Sequence, residues 1–398
     1  MKRESVLLIY AGWLGDLVWI VPVIHALKTV FHSVSIVVSQ VQEPLADIMR
    51  NGLLDHVYVD HPSSRFACAQ AVRRHARACG IETYMDLKGR GKTGIYMPWG
   101  RGMTICIPHR RDAREYMFSR LLHPLATCMP ARADGHMVDA YMSGLRDLGV
   151  ADTPVSFALP FSGQTLEEAE RIVTREGLRE QPSVALNPGS AQFSKIWPAA
   201  SFRRLAEVLK HDMRCKVVLM GAGRFDPNDN YDLRVSREYF RDGLITNLVE
   251  ETSFAVDACL LSSGVFDVAI GNDSFAGHMA GSASETAPGT PGAVQAPGGR
   301  WYKANHTVSL FAATNPVFCR PYDPTGVFNT VVVPESYPAT CVYDRQAHTC
   351  PHYEDRYCAE QAHCMRNLTV DQVVAAVEQK LGRRTSGKMT NDAGGTGI

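Results

Sequence analysis

Short apolar runs alternate along the chain with segments of helical periodicity. Runs rich in Val and Ile, which are typical of strands, occur in the first half at 5–10, 34–38, 56–59 and 104–107. The second half repeats this pattern at 184–187, 216–220, 267–270 and 307–311. Near the C-terminus, amphipathic helical spacing is clear at Val370, Val373, Val374, Val377 and Leu381. This alternation predicts an α/β protein built from doubly wound parallel sheets.

The length of 398 residues exceeds what one core usually spans, so two domains are expected. A capping-box pattern at Thr165–Glu168 predicts the start of a charged helix between Pro160 and Pro182. The predicted parts are a first domain at 1–165, a second at 166–366, a last helix at 367–382 and a disordered polar tail at 383–398.

Within the second domain, 281–306 is dense in Gly and Pro. It is predicted to be an inserted loop without regular structure. One interpretation is a flexible surface loop. The other is a mobile lid that brings Arg300, Trp301, Tyr302 and Lys303 to an acceptor or a membrane surface.

Charge and cysteine usage restrict the class of protein. The 41 basic and 41 acidic residues leave no overall basic footprint for nucleic acid. The first residues imitate a secretory signal, but Asp16 interrupts the apolar run, and no run approaches the ~20 residues that span a bilayer. Eleven scattered cysteines do not form a secreted disulfide framework. We therefore expect a cytoplasmic protein.

A first candidate site follows the strand at 184–187. Pro188–Ser190 forms a sharp turn, Lys195 adds a positive charge, and Pro198 suits the first position of a helix. Free amides and the positive dipole end of a helix favour an anion. The segment predicts a phosphate site, and the alternative is an ordinary loop with a solvated lysine.

A second candidate site follows the strand at 267–270. Asp273 and Ser274 are good caps for a short helix. The small residues Ala276, Gly277 and Ala280 would let a ligand or a strand come close. Two strand ends suited to phosphate in one half of the chain indicate a nucleotide-type ligand, and a plain capped helix is the alternative.

Four segments together resemble one family. GDLVWIVPVIHALK, SAQFSKIWPAASFRRLA, GNDSFAGHMAGSA and FAATNPVFCRPY resemble, in the same order, motifs of glycosyltransferase family 9, the heptosyltransferases of lipopolysaccharide synthesis. The resemblance covers most of residues 5–381. It implies the GT-B architecture, in which two Rossmann-like domains face each other across a cleft. The N-terminal domain would take the acceptor, the second domain the nucleotide sugar, and the last helix would pack back on the first domain.

Glycosyl transfer needs a base for the attacking hydroxyl and positive charge for the departing diphosphate. The resemblance implies that Asp16 is the general base and that Lys195 stabilises the diphosphate, with an ADP-sugar as donor. For Asp16 the alternative is a helix cap, and for His278 a packed histidine. The implied donor-binding residues are Gly15, Ser190, Ala191, Asp226, Asp273, Ser274, Phe275, Ala276, Gly277 and His278.

No metal is expected to be required, since Lys195 and helix amides would neutralise the diphosphate and the chain lacks an Asp-x-Asp pair. A possible iron or zinc site is nevertheless suggested by soft ligands near the C-terminus. These have no Cys-x-x-Cys spacing, so reduced thiols or a disulfide remain alternatives. The candidate ligands are Cys341, Cys350, Cys358 and Cys364.

On the acceptor side, basic residues could meet anionic core sugars, although such clusters are often only solvated. They are Lys88, Arg90, Arg110 and Arg111. Peripheral contact with the inner membrane is a further expectation. Alternative functions are a nucleotide-sugar epimerase of the same architecture, a transferase using another nucleotide sugar or a protein acceptor, and a non-catalytic sugar-binding protein.

Overall fold

The structure is a computed structural model. It describes residues 3–87, 95–96, 103–106, 127–128, 135–147, 149–150, 152–221, 243–249, 251–335 and 363–382. Two six-stranded parallel sheets form its framework, together with a small three-stranded sheet. Among the helices described, none is long and apolar enough to cross a bilayer.

The first sheet has the strand order β3-β2-β1-β4-β5-β6 and is parallel throughout. Its strands are β1 Arg3–Tyr10, β2 Phe31–Ser39, β3 His56–Asp60, β4 Thr83–Asp86, β5 Met103–Cys106 and β6 Thr127–Cys128. The helices of this half are α1 Leu14–Val18, α2 Val21–Val30, α3 Glu43–Met49, α4 Arg65–Ala78 and α5 Met137–Asp147.

Both faces of the first sheet are covered, as the apolar sequence of β1 requires. Side chains alternate along a strand, so Val6 and Leu8 pack on one side with the α2 residues, while Leu7 and Ile9 pack on the other with Val72 of α4. The predicted strands of the first half are confirmed to within a few residues at each end.

The second sheet has the order β15-β14-β10-β7-β8-β9 and is also parallel. Its strands are β7 Ser183–Asn187, β8 Lys216–Leu219, β9 Thr246–Asn247, β10 Val268–Asn272, β14 Thr307–Leu310 and β15 Asn329–Val332. The helices of this half are α6 Gly163–Arg175, α7 Ala199–Glu207, α8 Phe254–Ser262, α9 Phe275–Gly281, α10 Pro316–Cys319, α11 His363–Arg366 and α12 Val370–Lys380.

The predicted cap of α6 is wrong by one turn. Ser162 is the N-cap, and its hydroxyl accepts a hydrogen bond from the Thr165 amide. Thr165 is therefore the third helical residue rather than the cap. Both residues can cap a helix, and the chain uses the earlier one. The predicted domain boundary at 165/166 stays a prediction.

The last helix packs differently from what the resemblance implied. Val373, Ala376 and Val377 of α12 lie in the same apolar cluster as Phe202 of α7 and Leu310 of β14. These contacts place α12 on the second sheet, whereas packing on the first domain was expected. The physical reason is the apolar face that β14 and α7 present beside the helix.

The prediction that 281–306 lacks regular structure is wrong. The segment forms an antiparallel sheet of β11 Ser284–Thr286, β12 Val294–Gln295 and β13 Trp301–Lys303. Gly289, Gly292 and Gly299 have positive φ angles. Glycine adopts this backbone conformation in turns more readily than other residues do. The glycines therefore make the turns between strands rather than exclude strands.

Candidate active site

The loop after β1 is held by a buried amide. Gln42, which is fully buried, accepts a hydrogen bond from the Gly12 amide (3.1 Å) and donates one to the Trp13 carbonyl (3.0 Å). The loop is thus fixed where the sheet ends, and α1 begins at Leu14 with Asp16 in its first turn. The Asp16 carboxylate consequently lies at the carboxyl edge of the first sheet, where open α/β sheets bind ligands.

The two halves of the chain touch at Gly15. A methyl group at this position would lie 3.1 Å from His278 Cδ2 and 3.3 Å from the Phe275 amide nitrogen. Such distances are too short for a side chain at Gly15 without movement of α9. Glycine therefore allows the residue before Asp16 to approach the start of the helix that follows β10.

Lys195 and Asp273 form the central ion pair of the second half. Lys195 Nζ donates to Asp273 Oδ2 at 2.7 Å, with 18% and 5% of the two side chains exposed. Thr314 Oγ1 donates to the same oxygen, also at 2.7 Å. His278 Nε2 lies 3.7 Å from Asp273 Oδ1. Three strand ends thus converge on one carboxylate, since Lys195 follows β7, Asp273 follows β10 and Thr314 follows β14.

Asn272 fixes the lysine loop relative to β10. Its side-chain amide donates to the Pro188 carbonyl at 2.6 Å, and its oxygen accepts from the Trp197 amide at 3.0 Å. These two bonds hold both ends of the segment that carries Lys195. The ion pair therefore rests on a buried scaffold rather than on a flexible loop.

The ionisation of this pair follows from its surroundings. Burial alone would raise the pKa of Asp273, but Lys195 and His278 outweigh burial and hold the pKa well below its usual range. Burial would lower the pKa of Lys195, whereas the charge of Asp273, a weaker contribution from Cys319 and that of Asp16 raise it. Both groups are charged at neutral pH.

Buried polar groups without a partner accompany this contact. The Trp19 ring lies edge-on to the His278 ring, with centroids 5.2 Å apart, and both side chains are buried. In the part of the chain that the structure describes, Trp19 Nε1, His278 Nδ1 and Ser274 Oγ have no hydrogen-bond partner. A buried polar atom without a hydrogen bond lowers the stability of the folded protein. These three atoms are therefore candidates for hydrogen bonds to a ligand.

The structure brings most of the predicted site residues together. Gly15, next to Asp16 in the chain, lies against Phe275 and His278, and Ser190 Oγ donates to the Asp273 carbonyl at 3.4 Å. Ala191 is exposed on the lysine loop, and Ala276 and Gly277 lie within α9. Their roles in donor binding stay predictions.

The predicted helix cap is only half correct. Ser274 occupies the N-cap position of α9, but its side chain makes no capping hydrogen bond. The Asp273 carboxylate accepts hydrogen bonds from Lys195 and Thr314 instead. The Asp273 carboxylate therefore binds Lys195 and Thr314 and does not cap α9.

Several predicted residues lie outside the described residues, so their placement is not stated. They are Lys88, Arg90, Arg110, Arg111, Asp226, Cys341, Cys350 and Cys358. Cys364 is described and packs half-buried beside the α12 cluster. No group of three or more potential metal ligands occurs among the residues that are described.

Sequence reasoning missed three residues of the site. Thr314 belongs to the segment FAATNPVFCRPY that carries the resemblance, so its position was available as a signal. Trp19 lies three residues after Asp16, but its contact with His278 spans the two halves. Nothing in the sequence marks Gln42, because an isolated glutamine is ordinarily exposed.

Comparisons with known proteins identify the family and the fold of the chain. The model of "Glycosyltransferase family 9 (heptosyltransferase)" matches residues 74–286, more than half of the chain. No curated protein matches the chain.

Solved structures share the fold at low identity. The glycosyl transferase family 9 from Veillonella parvula DSM 2008 has a TM-score of 0.68 and 19% identity, over 96% of this chain and 98% of that one. E. coli ADP-heptose lps heptosyltransferase II has a TM-score of 0.61 and 17% identity, over 96% and 98%. E. coli heptosyltransferase WaaC with ADP has a TM-score of 0.61 and 14% identity, over 94% and 99%. The predicted GT-B architecture is confirmed, and the chain belongs to glycosyltransferase family 9.

Proposed function

We propose that this enzyme is an inverting glycosyltransferase that moves heptose from ADP-heptose onto a hydroxyl of a lipopolysaccharide-core or related glycan acceptor. One observation carries the proposal: Gly15, the residue before Asp16, lies against Phe275 and His278 of α9, which directly follows Asp273, the partner of Lys195. The solved E. coli heptosyltransferase WaaC of the same fold contains ADP, which supports an adenine nucleotide as the donor.

In the proposed reaction Asp16 acts as general base. Its carboxylate takes the proton of the acceptor hydroxyl while the hydroxyl oxygen bonds to the anomeric carbon. The bond from that carbon to the diphosphate oxygen breaks, and its electron pair leaves with ADP. A single displacement of this kind inverts the anomeric configuration.

Lys195 is proposed to neutralise the charge that develops on the diphosphate. The raised pKa of its ammonium keeps it cationic, and the contact with Asp273 fixes its position. A preorganised charge in a buried site stabilises a transition state more than the same charge in water does. Because Lys195 supplies this charge, no step is assigned to a metal.

The remaining expectations are proposals of the same kind. Lys88, Arg90, Arg110 and Arg111 would meet an anionic acceptor, and the enzyme would act at the cytoplasmic face of the inner membrane. A metal at Cys341, Cys350, Cys358 and Cys364 would be detected by elemental analysis of the purified protein.

Thermal unfolding with ADP, UDP and GDP tests the donor assignment. A nucleotide that binds the folded protein raises the melting temperature, and ADP should raise it most. Lys195→Ala should weaken ADP binding by on the order of 10–100-fold, since hydrogen bonds between charged groups contribute about 1.5–3 kcal/mol.

The matched control is Lys210→Ala, which removes an ammonium that donates to the Gly243 carbonyl in the same half. It should bind ADP as the wild type does. ADP that fails to stabilise the protein, or unchanged ADP affinity in Lys195→Ala, would contradict the assignment. Conversion of the sugar nucleotide without any acceptor would indicate an epimerase instead.

A further inference from the structure

Helix α4, with the sequence RFACAQAVRRHARA, has an unusual charge distribution. It contains four arginines and a histidine but no acidic residue. Its apolar side, formed by Ala69, Val72 and Ala76, packs against the first sheet. The opposite side is therefore a basic surface of a chain whose overall charge is zero.

Most of this charge has no carboxylate partner among the residues that the structure describes. Arg65 pairs with Asp60, with Nε to Oδ2 at 3.1 Å. Within the described part of the chain, Arg73, Arg74 and Arg77 have no carboxylate partner. Arg74 and Arg77 are exposed and Arg73 is half-buried. Among the described residues, these three guanidinium groups are therefore left without a compensating carboxylate.

A large apolar side chain accompanies these arginines. Phe66 is 72% exposed, more than any other large hydrophobic residue that is described. Phe66, Gln70, Arg74 and Arg77 follow one another at helical spacing on the outward side of α4. The helix therefore presents an aromatic ring at its start and guanidinium groups towards its end.

We propose that the α4 surface docks onto the anionic headgroups of a lipid bilayer. Arginines attract anionic lipids, with about 1 kcal/mol for each basic residue near the surface, and an aromatic ring inserts at the interface. A nucleic acid would also attract the arginines. It would gain little from Phe66, and the neutral chain offers no wider basic footprint.

The position of α4 suits this role. The helix begins five residues after Asp60, which ends β3, and so starts at the carboxyl edge of the first sheet, the edge that carries Asp16. Docking by Phe66 would bring this edge close to the lipid surface. That consequence for a lipid-linked acceptor rests on the proposed function, whereas the docking itself does not.

Vesicle sedimentation of the full chain tests the docking. The protein should bind vesicles of phosphatidylcholine with about one-third phosphatidylglycerol, and not vesicles of phosphatidylcholine alone, with binding weakened by salt. The triple change Arg73→Gln, Arg74→Gln, Arg77→Gln should reduce the affinity by about 100-fold, from three contributions of about 1 kcal/mol. Phe66→Ser should reduce it by about 10-fold.

Two matched variants separate charge from folding. The triple change Arg171→Gln, Arg175→Gln, Arg179→Gln removes the same charge from exposed positions on and just after α6 and should bind as the wild type does. The triple change Arg73→Lys, Arg74→Lys, Arg77→Lys keeps the charge and should also retain binding.

The docking is contradicted if the wild type does not bind the anionic vesicles. It is also contradicted if the glutamine variants of α4 and of α6 lose binding to the same extent. A preference for a DNA duplex over vesicles at equal phosphate concentration would contradict it as well. ADP stabilisation, measured on the same variants, should stay unchanged. A failure of docking is therefore distinguishable from a failure of the proposed transfer reaction.

Discussion

At the scale of single residues, Asp273 concentrates the polar contacts of the second half. One oxygen of its carboxylate accepts hydrogen bonds from Lys195 and Thr314, and the other lies near His278. Lys195 and Asp273 could be predicted because each follows a strand with a turn pattern. Their direct contact could not, since 78 residues separate them and a sequence pattern shows only local spacing.

Asp257 gives a prediction about pH and stability. The residue is buried in the first turn of α8, and its carboxylate accepts a hydrogen bond from the Thr252 hydroxyl. Burial raises its pKa to about 6, against 3.8 in its ordinary state. The folded protein thus holds this proton more tightly than the unfolded chain. The contribution of protonated Asp257 to the free energy of unfolding is fully present below pH 3.8 and is lost as the pH rises through about 6.

This loss amounts to about 3 kcal/mol of unfolding free energy. Asp257→Asn, which keeps the shape and can still accept from Thr252, should not show that loss. We expect the variant to match the wild type at pH 4 and to be more stable at pH 8, as measured by thermal melting. A pH dependence identical to that of the wild type would contradict the assignment to Asp257.

At the scale of elements, α9 lies close against β14. A methyl group at Gly281 would lie 2.5 Å from Thr307 Oγ1 and 3.0 Å from Pro321 Cβ. Gly281→Ala should therefore destabilise the protein by roughly 1–3 kcal/mol, because overpacking forces neighbours to move. The measurement is the midpoint of thermal unfolding.

Gly163→Ala is the control for this change. Gly163 is the first residue of α6, and nothing lies within 4 Å of an added methyl group. Alanine favours the helix by up to about 1 kcal/mol, so this variant should be neutral or more stable. Equal melting temperatures for the two variants would refute the packing argument at Gly281.

The main strands were predictable because β-branched runs recur between helical patterns. The small sheet of 284–303 was not, since its strands have two or three residues each. It depends on contacts elsewhere: Arg300 pairs with Glu285 and Asp152, and the Glu285 amide donates to the Val155 carbonyl at 2.7 Å. Local sequence does not show such support. The partner of α12 was missed for the same reason, because an apolar stripe does not specify what covers it.

At the scale of the whole molecule, the two halves share one apolar cluster. It includes Val6 of the first sheet and Ala185 and Ala269 of the second. Polar contacts add to it: His136 Nε2 donates to the Arg320 carbonyl at 2.6 Å, and Tyr322 donates to Asp139 at 2.8 Å. The resemblance implied facing domains, but these contacts between residues about 180 apart could not be predicted.

The His136 ring is uncharged in this hydrogen bond because it is buried. Burial lowers the pKa of His136 to about 3, so the ring stays neutral at physiological pH. Its Nδ1 accepts from the Val138 amide while Nε2 donates to Arg320. The hydrogen bond between His136 and the Arg320 carbonyl is therefore insensitive to pH above about 4.

The kinetics of Asp16→Asn show whether Asp16 is the general base. The change keeps the size of the side chain and removes the base. Turnover of ADP-heptose with acceptor should fall by roughly a hundredfold or more, while ADP affinity stays within about twofold. Asp47→Asn, an exposed aspartate of α3, should leave both unchanged. Near-normal turnover in Asp16→Asn would contradict the role of Asp16 as general base.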